Sequence, residues 1–245
     1  MKTVLITGAG KGIGAAIAEH FAQKDFAVYL NVRTLTPEVE AKVAKLQANS
    51  AVIIPLVFDI NNPEQTEKAL ASINHLDVLV NNAGILRDNL IPQISQEDWQ
   101  AVISTNFHAA QAMFDQCVPL MEKSASPCII NLGSISGVRP RAGQGAYAVA
   151  KAMIIDWTKQ LGLQPPATLP NLVSYAISPG PVATEMIKQA PWYKQKGAFD
   201  RIPLKRFAEP EEVAQLAFTL ATQRPFKSGD NLVLDGGFIQ TTKTA

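Results

Sequence analysis

The sequence lacks the features of a secreted or membrane protein. It has only two cysteines in 245 residues, which could in principle pair. In a chain without a secretory signal we expect Cys117 and Cys128 to be reduced core residues that bind no metal. The longest apolar stretch, residues 51–58, contains Pro55 and is too short to span a bilayer. Before the first apolar run at residue 3 there is no room for a signal or transit peptide. The sequence therefore predicts a cytoplasmic protein with no membrane span.

An excess of charge of either sign is also absent. The 22 lysine and arginine residues balance 21 aspartate and glutamate residues, so the formal net charge is +1. Such a chain has no broad basic surface for nucleic acid or anionic lipid, and it has no acidic tail. Any charged ligand must therefore be bound by a few local residues.

The composition and patterning are those of a packed α/β domain. An apolar share of 47% permits a sizeable core, and short β-branched runs alternate with helical patterns along the chain. This alternation is typical of stacked βαβ units, which form a doubly wound parallel sheet with helices on both faces. Because no linker or repeat interrupts it, residues 1–245 are expected to form one domain. The predicted strands are 3–7, 26–32, 52–58, 76–80, 128–132, 172–177 and 232–234, and the predicted helices are 13–24, 37–47, 63–73, 97–121, 144–163 and 210–222.

One segment does not fit this alternation. Residues 179–205 form a long connection rich in Gly, Pro and aromatic residues. Connections of this length are unusual in a compact domain unless they have a function. We expect residues 179–205 to form a lid over a substrate.

The first strand leads into a glycine-rich turn. Thr7 is followed by glycines at positions 8, 10, 12 and 14, and a helical pattern begins at residue 13. Glycines let the backbone approach a pyrophosphate, and the free N–H groups at the helix start attract its negative charge. The turn therefore predicts a dinucleotide site, the alternative being a tight turn with no ligand. The residues of this predicted site are Gly8, Gly10, Lys11, Gly12, Ile13 and Gly14.

The end of the second strand indicates which dinucleotide is bound. Sites for NAD place a carboxylate there to accept from the ribose hydroxyls, yet no acidic residue occurs between Asp25 and Glu38. Arg33 stands near this position and is suited to a 2′-phosphate, which Lys11 can approach from the glycine turn. The sequence therefore predicts NADPH rather than NADH.

A tyrosine and a lysine stand four residues apart on a predicted helix. This spacing puts Tyr147 and Lys151 on one helix face, although an exposed tyrosine and a solvated lysine would show the same spacing. Ser134 follows the fifth predicted strand, and Asn106 lies in the preceding long helix. The ends of the strands in an open parallel sheet converge on one crevice, so we expect Ser134 to lie near the glycine turn.

Six motifs follow one another in order: Thr7-Gly-x-x-x-Gly-x-Gly14, Asn81-Asn82-Ala83-Gly84, Asn106, Ser134, Tyr147-x-x-x-Lys151 and Pro179-Gly180-x-x-x-Thr184. In this order and spacing they resemble the short-chain dehydrogenase/reductase family over nearly the whole chain. The resemblance extends to the 3-oxoacyl-[acyl-carrier-protein] reductases through residues 86–90, 99–106 and 206–214. It implies a seven-stranded Rossmann-like sheet.

The resemblance also implies a catalytic set for reducing a ketone. Tyr147 would donate a proton to the substrate oxygen, and Ser134 would hydrogen-bond that oxygen. Lys151 would lower the pKa of Tyr147 from the ~10 of a free tyrosine and would bind the nicotinamide ribose. Asn106 would hold a water that connects Lys151 to solvent; the alternative is a helix-interior amide satisfied by neighbouring backbone.

Further cofactor contacts follow from the same resemblance. Asp59 would accept from the adenine amino group, although it is also placed to cap the following helix. Thr184 would bond the carboxamide and fix which face delivers hydride. The other implied contacts are Ile60, Asn81, Ala83, Gly84, Tyr147, Lys151, Pro179, Gly180 and Val182.

The function implied by the resemblance is that of an NADPH-dependent ketoreductase. Its substrate would be a 3-oxoacyl thioester carried on acyl-carrier protein or coenzyme A. Its assembly would be a homotetramer built through the helices predicted at 97–121 and 144–163. The alternatives are a dehydrogenase of a sugar, polyol or steroid alcohol, and a dinucleotide-sensing protein without chemistry. Arg33 favours the reductase, and the complete catalytic set favours an enzyme.

One departure from the family bears on the carrier. Residues 162–171 contain no basic residue, whereas the carrier-protein reductases tend to place arginine there to meet an acidic carrier. Other basic residues are available for this role, or else form a solvated surface: Arg87, Arg139, Arg141, Lys188, Lys194 and Lys196.

Overall fold

Seven parallel strands form one sheet in the computed structural model, which describes residues 1–49, 51–188, 193, 197 and 199–240. Their spatial order is β3-β2-β1-β4-β5-β6-β7, with β1 (Lys2–Ile6), β2 (Phe26–Val32), β3 (Ile53–Val57), β4 (Val78–Asn81), β5 (Cys128–Leu132), β6 (Val173–Pro179) and β7 (Asn231–Leu234). The predicted fold, a single-domain Rossmann-like doubly wound sheet, is confirmed. Each predicted strand boundary lies within two residues of the observed one.

The strand order reverses between β1 and β4. Strand β1 pairs with β2 on one side and with β4 on the other, so the chain moves outward to β3 and then returns to the centre of the sheet. In open parallel sheets a ligand crevice opens at such a point, outside the carboxyl ends of the strands.

Helices cover both faces of the sheet. They are α1 (Gly12–Ala22), α2 (Pro37–Ala48), α3 (Pro63–Leu70), α4 (Gln96–Ile103), α5 (Ala109–Met121), α6 (Ile135–Val138), α7 (Gly145–Leu163), α8 (Glu185–Lys188) and α9 (Pro210–Thr222). Helices α6 and α8 escape prediction because a single turn has no periodicity to detect. No helix in the described part of the chain is long and apolar enough to cross a membrane.

The helix predicted over 97–121 has the expected extent but is not regular. A π-helical turn, Ser104–His108, separates α4 from α5, and the Ala109 N–H bonds to the Ser104 carbonyl five residues earlier. Such a turn accommodates one extra residue in the helix and is frequent at functional sites. In this chain it contains Asn106.

Helices α2, α3 and α4 begin at residues that cap them. Thr36, Asn62 and Ser95 each accept a hydrogen bond from the backbone N–H three residues later, at 3.4, 3.1 and 3.0 Å. Asp59 does not cap α3, because its Oδ1 accepts instead from the Asn61 N–H at 2.9 Å. The alternative explanation of Asp59 as the N-cap is therefore wrong.

Alternate residues of the central strands supply two apolar cores. In β1, Val4 and Ile6 pack with Phe21 of α1 on one face of the sheet, and Leu5 packs with Met113 of α5 on the other. Because both faces are covered, the strands are nearly continuous apolar runs in the sequence.

The two cysteines lie in these cores as free thiols. Burial raises the pKa of both Cys117 and Cys128 to about 12, so neither forms a thiolate at neutral pH. In the residues that the structure describes, no three His, Cys, Asp or Glu side chains are grouped so that they could hold a metal ion.

A row of buried polar side chains links β4, β5 and α7. Asn81 Nδ2 donates to Asn131 Oδ1 at 2.9 Å, and Asn131 Nδ2 donates to Thr158 Oγ1 at 2.9 Å. The Thr158 hydroxyl donates to the Ile154 carbonyl one turn earlier, at 2.7 Å. A buried polar group without a hydrogen-bond partner costs about 1–3 kcal/mol of stability. Each side chain of the row supplies a hydrogen-bond partner to its neighbour and so avoids this cost.

We expect Thr158→Val to lower the free energy of unfolding by about 1–3 kcal/mol, because it keeps the side-chain shape but leaves Asn131 Nδ2 without an acceptor. Thr222→Val is the control: its hydroxyl donates to the Phe218 carbonyl one turn earlier at 2.7 Å and accepts no side-chain bond from the residues that the structure describes. Urea unfolding of both variants measures the difference. Equal losses in the two variants would contradict the role assigned to the row.

Candidate active site

The glycine-rich turn lies directly against the loop that follows β4. Gly8 has φ +63°, in the left-handed region, and a Cβ there would lie 2.9 Å from Ala83 Cα. A Cβ at Gly14 would meet the Asn82 side-chain amide and would lie 2.6 Å from the Gly8 carbonyl oxygen. The glycines therefore permit a close approach of two backbone segments, whether or not a ligand is bound.

Helix α1 differs from α2, α3 and α4 in its first turn. Its N-cap, Lys11, has extended backbone and makes no side-chain cap, and its first turn contains no acidic residue. The N–H groups of this turn are thus left to an external anion, which the helix dipole also favours. The uncapped turn and the glycine cradle fit the pyrophosphate of a dinucleotide.

Residues at the end of β2 contact the glycine-rich turn and include Arg33, which is predicted to bind a 2′-phosphate. Asn31 Oδ1 accepts from the Gly8 N–H at 3.1 Å, and its Nδ2 donates to the Phe58 carbonyl at 3.0 Å. Arg33 and Lys11 are both exposed, and neither forms an ion pair within the described residues. Asn31 was not predicted as a site residue; a buried asparagine at the end of an apolar strand was the available signal.

One cavity of about 730 Å³ opens at the carboxyl ends of the central strands. It brings together predicted site residues from five separate parts of the chain: Ile13, Gly84, Ser134, Tyr147, Lys151, Pro179, Gly180, Val182 and Thr184. Ile60 and Ala83 instead line a small crevice beside Thr7 and Thr105. The rest of the glycine turn, together with Arg33, Asp59, Asn81 and Asn106, lies outside the cavity lining.

Tyr147 and Ser134 are hydrogen-bonded through their side chains in this cavity. Ser134 Oγ also accepts from the Ser136 N–H at 3.1 Å, as the N-cap of α6. The pKa of Tyr147 is raised because the side chain is buried, and its hydrogen bond to Ser134 and the nearby Asp88 charge act in opposite directions on it. Tyr147 is therefore protonated at neutral pH.

Lys151 lies one helical turn from Tyr147 and is buried. Its Nζ donates to the Leu132 carbonyl at the end of β5, at 2.6 Å, and lies 5.7 Å from the centroid of the Tyr147 ring. Burial lowers the pKa of Lys151 to about 8. The pKa of Tyr147 is raised rather than lowered, because burial of the phenol is the largest influence on it and Lys151 is not among the groups that shift it.

Asn106 is behind the cavity wall. Its Oδ1 accepts from the Ile85 N–H at 2.7 Å, and its Nδ2 donates to the Ile85 carbonyl at 2.9 Å. The amide is thus satisfied by backbone, as in the alternative explanation, but by the loop after β4 rather than by its own helix. A Cβ at Gly84 would lie 3.1 Å from Asn106 Oδ1. Through these contacts, Asn106 of the π-helical turn holds the loop after β4 at Gly84 and Ile85.

Asn81 is bonded within the sheet and lines the small crevice beside Thr7, not the cavity of about 730 Å³. Its Nδ2 bonds Asn131 and the Ala110 carbonyl. The neighbouring Asn82 bonds the glycine turn instead, with Nδ2 donating to the carbonyls of Thr7 and Gly8 at 2.9 and 3.1 Å. Asn82 also lines the cavity. The sequence motif marks both asparagines but does not tell which of them faces the ligand.

A polar network beside Tyr147 was not predicted. Gln144, three residues before Tyr147, accepts from the Ser136 hydroxyl at 2.9 Å and donates to Asp88 Oδ2 at 3.3 Å. Ser136 in turn donates its N–H to Ser134. The network therefore connects Ser134 to the Asp88 carboxylate in the loop after β4. The helical spacing of Gln144 and Tyr147 was the only signal for it.

A scan for protein families matches residues 2–194 to the short chain dehydrogenase family. The chain belongs to this family. Members are oxidoreductases that act on a CH–OH group with a nicotinamide dinucleotide. The glycine cradle and the side chains of Ser134, Tyr147 and Lys151 lie in the matched region.

Known short-chain dehydrogenases are similar over almost their entire length. The 3-oxoacyl-[acyl-carrier-protein] reductase FabG of Thermotoga maritima is 34% identical over 97% of this chain and 98% of that protein. The 3-oxoacyl-[acyl-carrier-protein] reductase of Synechocystis is 33% identical over 97% of both. A crystal structure from Agrobacterium tumefaciens, described as "a putative gluconate dehydrogenase", superposes with a TM-score of 0.90 at 27% identity, covering 98% of this chain and 97% of that one.

The predicted lid of this short-chain dehydrogenase is described only in part. Residues 189–192, 194–196 and 198 of the segment 179–205 lie outside the described residues. In the described part, Tyr193 and Phe199 make edge-to-face ring contacts with each other and with Phe207, which lies two residues beyond the segment, with centroids 5.1 to 5.5 Å apart. Ile202 packs in the same cluster and, with Phe207, faces the cavity. Ile202 of the segment and Phe207 just after it therefore give the cavity an apolar wall.

The basic residues considered for an acidic carrier lie in different surroundings. Arg87 Nε lies 3.7 Å from Asp98 Oδ1, and Lys188 Nζ lies 3.0 Å from Glu209 Oε2. Arg141 lines the cavity. Two others, at positions 194 and 196, lie outside the described residues.

The lowered pKa of Lys151 predicts a pH-dependent stability. Burying the charged amine costs free energy at neutral pH, and this cost disappears as the pH rises from about 8 toward the ordinary value of 10.5. We expect the stability of the wild type relative to Lys151→Met to rise by about 2 kcal/mol between about pH 7 and about pH 9.5.

Urea unfolding of both proteins at the two pH values measures this change. Groups common to both proteins, such as the buried cysteines, cancel in the difference. A stability difference that stays constant with pH would show that the folded-state pKa of Lys151 is not lowered.

Proposed function

We propose that the protein is an NADPH-dependent ketoreductase that reduces a 3-oxoacyl thioester to the 3-hydroxyacyl thioester. The observation that supports it most is the placement of Ser134, Tyr147 and Lys151 in one cavity with an apolar wall formed by Ile202 and Phe207. An acyl chain can bury its apolar surface against that wall. A polyhydroxylated sugar would leave hydroxyl groups unpaired there.

Tyr147 is the proposed proton donor. Reducing a ketone adds a hydride to the carbon and a proton to the oxygen, and the raised pKa of Tyr147 keeps the phenol protonated for this step. Ser134 Oγ accepts from the Ser136 N–H, and the hydroxyl is hydrogen-bonded to Tyr147. We propose that a bound substrate oxygen takes the place of Tyr147 as the partner of the Ser134 hydroxyl. That hydroxyl would stabilise the charge that develops on this oxygen.

Lys151 and Asn106 are proposed to support the proton transfer. Lys151 is held at 2.6 Å from the Leu132 carbonyl, and its remaining N–H groups are proposed to bind the nicotinamide ribose. Asn106 is proposed, by family likeness, to lie on the route of proton resupply. Its side chain is occupied by Ile85, so a water there would have to bind to its backbone.

The proposed cofactor is NADPH, which supplies the hydride. The pyrophosphate is assigned to the glycine cradle and the uncapped start of α1, and the 2′-phosphate to Arg33 and Lys11. Asp59, Ile60, Ala83 and Gly84 are proposed for the adenosine side, with Asn81 acting through the sheet. Pro179, Gly180, Val182 and Thr184 are proposed for the nicotinamide side.

The carrier of the thioester is proposed to be acyl-carrier protein or coenzyme A, since the relatives named above are carrier-protein reductases. A second candidate is a dehydrogenase of a sugar acid or another alcohol, because the similar Agrobacterium structure carries a gluconate dehydrogenase description. The apolar cavity wall favours the thioester.

A homotetramer is proposed for the assembly by family likeness, built through the long helix formed by α4 and α5 and through α7. Exposed positions on α7 include Val149, which is 41% exposed. We further propose that residues 1–245 form a single domain whose segment 179–205 covers the substrate. A cytoplasmic location stays a prediction from the sequence.

The proposed reaction predicts that Tyr147→Phe lowers kcat for reduction of an acetoacetyl thioester at least about 100-fold, because the proton donor is removed. NADPH consumption is measured against a panel of an acetoacetyl thioester, free ketones and sugar acids. Tyr29→Phe, a buried tyrosine of β2, is the matched control. The proposal fails if no thioester is reduced, or if Tyr147→Phe keeps the wild-type rate.

Arg33 is expected to set the cofactor preference. Arg33→Asp should lower the ratio of kcat/KM for NADPH to that for NADH about 10-fold or more, since it removes a charge-assisted contact to the phosphate and adds repulsion. Lys42→Asp, an equal charge change on α2 at a side chain that is 52% exposed, controls for net charge. An unchanged ratio in Arg33→Asp would contradict the assignment.

A further inference from the structure

The described lining of the cavity carries positive charge but no negative charge. Three basic side chains line the cavity, those of Arg141, Lys151 and Arg201. None of the described lining residues is aspartate or glutamate. Lys151 is buried beside Tyr147, whereas Arg141 and Arg201 are exposed. The two arginines therefore lie at the rim, where the cavity meets solvent.

The arginines come from distant parts of the chain and meet at one aromatic ring. Arg141 precedes α7, Arg201 precedes α9, and Phe238 follows β7. Each guanidinium carbon lies 5.8 Å from the centroid of the Phe238 ring. The two like charges are thus held no more than twice that distance apart by cation–π contacts with the same side chain.

The position of Phe238 is fixed by its own segment. Asp235 Oδ1 accepts from the Gly237 N–H at 2.8 Å, and Oδ2 accepts from the Ile239 N–H at 2.7 Å. Arg139 Nη1 donates to the Ile239 carbonyl at 2.9 Å. These bonds hold the backbone on both sides of Phe238 in place.

Arg141 has donors to offer to a ligand. A guanidinium carries five N–H donors in a planar fork, and the described residues accept only one bond from it, from Nη2 to Gln144 Oε1 at 3.4 Å. That fork matches a carboxylate or a phosphate. The proposed sites for the cofactor phosphates are the glycine turn, Arg33 and Lys11. Of these residues only Ile13 of the glycine turn lines this cavity, so Arg141 is not assigned to the cofactor.

We propose that Arg141, with Arg201 beside it on the Phe238 ring, binds an anionic group of the substrate at the rim of the cavity. The group is a carboxylate or a phosphate that lies away from the ketone. This inference rests on the proposed function, because it names a part of the molecule that Tyr147 reduces.

Two matched pairs of substrates test the inference. The first is acetoacetyl-4′-phosphopantetheine against acetoacetyl-pantetheine, which differ by a phosphate on the thiol side. The second is a 3-oxoacyl-pantetheine with a carboxylate at the end of its acyl chain, against its methyl ester. The quantity measured is the ratio of kcat/KM for the charged member to that for the neutral member, in wild type, Arg141→Gln, Arg201→Gln and Arg141→Lys.

We expect the wild type to prefer the charged member of at least one pair, and Arg141→Gln to lower that preference about fivefold or more. Arg201→Gln should lower it in the same direction, and Arg141→Lys, which keeps the charge but loses the fork, should fall between wild type and Arg141→Gln. Lys42→Gln, an equal loss of charge on α2, should leave the ratio unchanged.

The pair that responds identifies the source of the anion: the phosphate pair points to the carrier arm, and the carboxylate pair points to the acyl chain. If neither ratio changes in Arg141→Gln and Arg201→Gln, the inference is overturned. Failure of the proposed function gives a different result, namely that wild type does not reduce the neutral thioesters at all.

Discussion

The site depends on one contact between backbone segments, where the ends of β1 and β4 are bonded through Thr7. The Thr7 hydroxyl accepts from the N–H groups of Asn82 and Ala83 at 3.0 and 3.1 Å, while Asn82 returns two bonds to the glycine turn. Because these segments touch, a side chain at Gly8 or Gly14 would collide with the loop. The reversal of strand order between β1 and β4 thus determines where the ligand crevice opens. The Thr7 bonds hold the glycine turn against the loop after β4.

Burial controls the chemistry on the other side of the crevice. The same packing that holds α7 against the sheet raises the pKa of Tyr147 and lowers that of Lys151 to about 8. A protonated phenol is suited to reduction, since the proton leaves it as the substrate oxygen gains charge. The network from Asp88 through Gln144 and Ser136 adds negative charge behind this phenol and so acts in the same direction as burial. The burial that shifts the pKa of Lys151 therefore also costs stability at neutral pH, where the amine is charged.

Sequence patterns predict those parts of the structure that are local. Each strand and long helix has its own periodicity, and the Tyr147 to Lys151 spacing is one helical turn. Contacts between distant segments leave no such signal. The bonds from Asn106 to Ile85 depend on a π-helical turn that periodicity does not reveal, and the meeting of Arg141 with Phe238 joins residues almost one hundred positions apart. The direction of the Tyr147 pKa shift was missed for the same reason, because it is set by desolvation in the folded protein.

The near-zero net charge of the chain is compatible with a cationic cavity rim, because two neighbouring arginines are enough to make the rim positive. The absence of basic residues over 162–171 removes one surface for an acidic carrier, while Arg141 and Arg201 place two charges at the rim of the cavity that contains Tyr147. Beyond that rim the wall is apolar at Ile202 and Phe207. A molecule with an anionic end and an apolar reacting end satisfies both surfaces. A polyol acid satisfies only the rim, since each hydroxyl placed against the wall without a partner costs about 1–3 kcal/mol. The order of charge and apolar surface along the cavity therefore favours an acyl substrate over a sugar acid.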